Sequence, residues 1–218
     1  MQILKKPDPI ADPVTHANNK TGTTWKVAER AAFWEAYGTY ETTGAFGGTD
    51  VVYRRHCGPT AITNMLLTFE NRAPVTAGKR MVPQRVFTRV ASLGAKRHYY
   101  LNADLLGIYG GTLNVFTKSY VRRAFALYHR GEQEVRGPYP ALRALMKREL
   151  DKGSLLYMEL VLHPLYGNHH LLAYGYRLLR NEAGSTRLYL LCADGWNAQP
   201  RYLYAGELLL SRFYAVSP

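Results

Sequence analysis

Two cysteines in 218 residues exclude a disulfide framework. The chain has no apolar run of transmembrane length. Its start, Met1-Gln2-Ile3-Leu4-Lys5-Lys6-Pro7, lacks the apolar core of a secretory signal. A cytoplasmic location is therefore the favoured expectation, with a secreted mature form as the alternative. No Gly-rich loop carries a phosphate-binding pattern: Gly47-Gly48 and Gly110-Gly111 stand without the required spacing. Nor is there a tight Cys-x-x-Cys or His-x-x-x-His pair, so neither a metal nor a cofactor is expected. Acidic residues are the scarcer charge, 16 against 28 Lys and Arg, for a net charge of +12. The basic residues come as scattered pairs such as Arg54-Arg55, Lys96-Arg97 and Arg122-Arg123. With no basic stripe along one element, nucleic acid is a disfavoured partner, and an acidic partner or substrate is compatible.

What is present is a globular composition, 47% hydrophobic and 20% charged, which excludes disorder and coiled coil. The most informative stretch is Arg54-Arg55-His56-Cys57-Gly58-Pro59-Thr60-Ala61-Ile62. From Cys57 onward, Ile62, Met65, Leu66 and Phe69 fall on one helical face. Pro59 suits a first turn, where its missing N–H would have had no partner. Cys57 is thus predicted at a helix N-terminus, whose partial positive charge favours a thiolate. The plain alternative is a buried structural thiol. Cys192, inside an apolar run, is expected in the core.

Residues 1–22 read as an extended arm. Thr23 or Thr24 is placed to cap a helix reaching about Tyr37, and residues 38–52 form a loop leading to the cysteine helix, which ends near Glu70. Pro83 opens a helix with Val86 and Val90 inward, closed by Gly94. Residues 95–111 take no assignment. A helix is predicted from Leu113 to Arg130. Another follows Pro140, carrying Leu142, Leu145, Met146 and Leu150, and stops at Gly153. The pattern then changes to apolar runs bounded by turn residues: Ser154–Leu162, His170–Leu179, Thr186–Ala193, Arg201–Ala205 and Leu208–Val216. Asn181-Glu182-Ala183-Gly184 joins two of them as a hairpin. The fold class is α+β, an N-terminal helical lobe followed by a C-terminal antiparallel β-sheet lobe. Residues 1–49 are read as an arm and helix packed on a main domain, 50–218.

A nucleophilic cysteine needs a base, and the base an orienting group. Asn168-His169-His170 opens a strand, and alternation lets only one histidine face the cysteine. Asp194-Gly195-Trp196 closes the next strand, where Asp194 can orient the imidazole and Trp196 can shield it from water. Taken singly, the histidine pair reads equally well as solvated and the Asp-Gly as a turn.

The set resembles the papain-like cysteine peptidase superfamily, in the branch of bacterial double-glycine leader peptidases and staphopain-like enzymes. Cys57-Gly58-Pro59-Thr60-Ala61 is similar to the nucleophile motif. Asn168-His169-His170-Leu171-Leu172-Ala173-Tyr174-Gly175-Tyr176 resembles the His-opened strand ending in Gly-Tyr. Asp194-Gly195-Trp196 resembles the third-residue element, and Leu145–Leu156 the helix and strand before the histidine. The resemblance spans about Asp50 to Val216. It implies a papain-like fold and a catalytic triad of Cys57, His169 and Asp194. His169 is selected over His170 because the family's histidine precedes the glycine by six positions. It also implies cleavage of a peptide or other amide through a thioester, without a cofactor. The family usually places an oxyanion-donating glutamine six residues before the cysteine, where this chain has Val51. Tyr53, Arg54 and His56 are the nearest substitutes, beside the Cys57 N–H. The alternatives are an acyltransferase or transglutaminase-like enzyme with the same triad, and an inert papain-like module that binds an acidic partner.

Overall fold

The computed structural model describes residues 8–31, 55–72, 81–101, 111–128, 133–197 and 199–217. The loop at 38–52, with Val51, Tyr53 and Arg54, lies outside them.

The first described segment corrects the expected arm. Asp12 caps a helix, α1 (Pro13–Thr21), its carboxylate accepting from the Thr15 N–H at 2.7 Å. Gly22, with φ 67°, ends it. The helix expected from Thr23 or Thr24 is instead a strand, β1 (Trp25–Arg30), paired antiparallel with residues 177–181. Only Trp25 is buried in it, so β1 is fixed by an open ladder edge and not by its own pattern. Residues beyond Ala31 in that expected helix fall outside the described set.

Helix α2 (Cys57–Arg72) starts at the cysteine as predicted. It is buried on every side from Gly58 through Phe69, not on one face alone. Its polar positions tolerate this by bonding back to the helix: Thr63 Oγ1 donates to the Pro59 carbonyl and Thr68 Oγ1 to that of Asn64. Helix α3 (Pro83–Lys96) buries Val86, Phe87, Val90 and Ala91. Gly94 lies inside α3 and does not close it. A Cβ there would stand 2.4 Å from the Tyr120 hydroxyl, which donates to the Val90 carbonyl. Two short strands, β2 (Tyr100–Leu101) and β3 (Gly111–Thr112), pair with each other within the unassigned stretch. The helix expected over 113–130 is shorter: a 3-10 turn at Asn114–Phe116 leads into α4 (Thr117–Ala126).

A strand that the sequence did not announce, β4 (Val135–Pro140), precedes α5 (Arg143–Asp151). The remaining strands are β5 (Leu155–His163), β6 (Gly167–Asn181), β7 (Thr186–Ala193), β8 (Arg201–Tyr204) and β9 (Arg212–Val216). All pairings are antiparallel, in the order β4-β9-β5-β6-β7-β8, with β1 added to β6. The chain is α+β, but its lobes are not segregated, because β1 and β4, which precede the last α-helix, join the sheet of the strands that follow it.

Both sheet faces are covered. Leu155, Tyr157, Leu172, Tyr174, Leu191 and Tyr214 pack with α2, α3 and α4. Leu156, Met158, Leu171, Ala173, Leu190 and Cys192 pack on the other side with Met146 and Leu150 of α5. Burial on alternate sides is why β5–β7 read as continuous apolar runs rather than an alternation. Each large side chain so buried contributes about 1.5–3 kcal/mol. Among the described residues, no helix is long and apolar enough to cross a membrane.

Candidate active site

Helix α2 points its N-terminus at the end of the sheet where β6 begins. The His56 carbonyl accepts from the Thr60 N–H at 2.9 Å, and Pro59 has no N–H. The N–H groups of Cys57 and Gly58 therefore remain as first-turn donors beside the thiol. Pairing of β6 with β7 stops at Leu172–Ala193, which leaves the edge of β6 open at His169 and His170. A cavity of about 870 Å³ fills this gap, lined by Cys57, Arg55, His56, Thr112, His169, His170 and Trp196, among others.

Both histidines line the cavity. His170 shares the α2 face with Leu172 and Tyr174; its Nδ1 is 3.1 Å from the Tyr157 hydroxyl. Burial first, then His169 and Arg212, lower its pKa to about 3, so it stays neutral at ordinary pH. His169 is buried, and its Nε2 donates to the backbone carbonyl of Asp194 at 2.7 Å. That bond fixes the tautomer and leaves Nδ1 as the basic nitrogen. Its ring stands 4.8 Å from the Trp196 indole, which covers one side while staying 45% exposed.

Asp194 is beside His169, but its carboxylate is committed elsewhere. Oδ1 accepts from the backbone N–H of Trp196 and of Asn197, both at 2.9 Å. Oδ2 accepts from the Tyr166 hydroxyl at 3.0 Å and the Asn197 amide at 2.7 Å. The side chain builds the turn, and the main chain orients the imidazole. The Asp-Gly turn and the orienting residue, read as competitors in the sequence, are one feature.

Of the oxyanion candidates, Tyr53 lies outside the described residues. His56 lines the cavity with its Nδ1 3.0 Å from Thr60 Oγ1, and its ring packs edge-on to Phe87. Trp196 serves as the cover of His169. Tyr166, which no motif marked, bonds Asp194 and stacks on His169; only its place two residues after His163-Pro164, in the turn before the histidines, could have drawn notice. Among the described residues, no three His, Cys, Asp or Glu side chains gather as a metal site. Cys57 and Cys192 are both free, and Cys192 lies in the core.

Electrostatics revise the thiolate expectation. Burial pushes the Cys57 thiol up, against the backbone N–H groups of His170, Gly58 and Cys57 itself. Burial likewise lowers His169, opposed by the Asp194 carbonyl and charge. Both shifts favour the neutral forms, thiol and imidazole, over an ion pair. Alkylation of Cys57 by iodoacetamide should therefore accelerate with pH through neutrality and on past the ordinary thiol range. A reaction already maximal in mild acid would show a preformed ion pair instead.

No family model, curated protein or solved structure matches the chain.

Proposed function

We propose that the protein is a thiol-dependent hydrolase of papain-like fold that cleaves a peptide or other amide bond. One observation carries the reading: Cys57 opens a buried helix onto the cavity that also holds His169, whose Nε2 is tied to Asp194 and whose Nδ1 is uncommitted among the described residues. In the proposed reaction, Nδ1 takes the thiol proton as sulfur attacks the carbonyl carbon. A C–S bond forms, and the oxyanion meets the Cys57 and Gly58 N–H groups. The imidazolium returns its proton to the leaving amine as the C–N bond breaks. Water, activated by the same imidazole, then hydrolyses the thioester. Arg55 in the cavity wall and the net charge of +12 favour an acidic substrate.

The test is incubation with a pool of fluorogenic peptide amides, with and without hydroxylamine. Cys57-dependent release of amine, with a hydroxamate formed in the trap, supports a thioester. Preference for an added amine over water would instead mark an acyltransferase. The upward shift of the Cys57 thiol favours a second reading, an inert module for acidic ligands. Absence of Cys57-dependent turnover together with binding of acidic peptides would establish it.

A second experiment probes the third residue. In Asp194→Asn, the Oδ1 acceptor and the main-chain bond to His169 can both persist. Turnover should fall by no more than about tenfold, against about 10⁴-fold where a carboxylate itself holds the tautomer. A loss on the larger scale would return the role to the carboxylate.

A further inference from the structure

The hairpin that delivers His169 is closed by a third histidine. Register pairs His163 with Gly167, leaving Pro164, Leu165 and Tyr166 as the turn. His163 Nδ1 accepts from the backbone N–H of Leu165 at 3.2 Å and of Tyr166 at 3.3 Å. An acceptor reaching the N–H groups two and three residues ahead is the geometry that Asn and Asp side chains supply in Asx turns. With Nδ1 accepting, the proton sits on Nε2, which has no hydrogen-bond partner among the described residues and faces Glu207 at 3.8 Å. Glu207 is in turn paired with Lys20. The imidazole of His163 is 3% exposed and stands 5.4 Å from the ring of Tyr166.

Tyr166 passes this order on. Its ring lies parallel to that of His169, with centroids 5.4 Å apart and planes at 9°. Its hydroxyl donates to Asp194, the residue whose carbonyl holds His169 Nε2. The phenol therefore fixes the imidazole plane and also the turn that carries its acceptor. Tyr166 is the buried inner wall and Trp196 the outer one, with their rings 4.9 Å apart. On the same hairpin, the Leu162 N–H donates to Asn168 Oδ1 at 3.0 Å, which ties down the residue before His169.

We propose that His163 and Tyr166 are a positioning pair: His163 shapes the hairpin by accepting two peptide N–H groups, and Tyr166 transmits that shape to the ring of His169. The catalytic consequence rests on the hydrolase reading; the setting of the ring does not. Burial lowers His163, against the pull of Glu207, so the accepting form prevails in neutral solution.

The experiment uses the full chain, labelled with ¹⁵N-histidine, in neutral buffer. It follows the His169 Nε2–H resonance and its exchange with water, together with kcat and KM. His163→Asn restores an acceptor at the same two N–H groups, whereas His163→Gln carries it one methylene too far. His163→Asn should keep the wild-type resonance and kcat. His163→Gln and Tyr166→Leu should speed the exchange and lower kcat on the order of tenfold or more with KM unchanged, as misplacement of a reacting group does. Tyr166→Phe, which keeps the stack, should fall between. Folded His163→Gln and Tyr166→Leu proteins with wild-type exchange would overturn the proposal. So would a His163→Asn protein as impaired as His163→Gln. If the wild type hydrolyses nothing, the resonance still decides the positioning role, and only the hydrolase reading fails.

Discussion

Cys57→Ala should abolish thiol-dependent turnover, and His169→Ala should lower it by about 10²–10⁴-fold, the range for loss of a positioned general base. His170→Ala should cost under about tenfold, because proton transfer is not lost with it. The contrast follows from what each ring nitrogen is doing. His169 donates from Nε2 to a carbonyl, so its second nitrogen is unprotonated and free to accept. His170 spends Nδ1 on the Tyr157 hydroxyl, and with its pKa lowered to about 3 it has little basicity to offer. Initial rates on one fluorogenic amide, with folding checked by circular dichroism, decide the matter. A folded His170→Ala protein as slow as His169→Ala would transfer the base role to the second histidine.

Gly58→Ala is the second large effect. A Cβ at Gly58 would stand 1.9 Å from Thr112 Oγ1, 2.6 Å from Thr112 Cβ and 2.9 Å from the Tyr157 hydroxyl. None of these neighbours can simply swing aside: Thr112 is buried on β3, and Tyr157 is fully buried and bonded to His170. Overpacking of this kind costs about 1–3 kcal/mol and sometimes more. In a chain of this size each kcal/mol lowers Tm by about 2–4 °C. The strain falls one residue from the thiol, and displacement of a nucleophile by an ångström costs about 10²-fold. Calorimetry and turnover should therefore both fall, and Thr112→Gly in the same chain should recover part of each. A Gly58→Ala protein with wild-type Tm would show that the β3 hairpin yields freely.

Helix α2 and the central strands were legible because their signals are local. Pro59 in a first turn marks where α2 begins, and Gly and Pro bound the apolar runs of β5–β7. What stayed hidden depends on partners distant in sequence. The residues of β1 carry no strand pattern, since five of the six face outward, and only the open edge of β6 makes them a strand. Gly94 resembled a helix stop because the close approach of Tyr120 cannot be read from position 94. At the site, residue types and order led to Cys57, the histidine pair and Asp194. They could not reveal that the orienting contact comes from the Asp194 main chain, because a carbonyl leaves no trace in a residue's identity. Tyr166 was missed for a similar reason, as one tyrosine among 17.

The all-round burial of α2 has a mechanical consequence. A rod enclosed by sheet, helices and hairpin cannot tilt or slide without opening the core. The sulfur is therefore mounted at the end of a closely packed rod and acts as the datum of the site. Adjustment to an incoming carbonyl falls to the outer rim of the opposite wall, where the half-exposed Trp196 stands on the turn after β7.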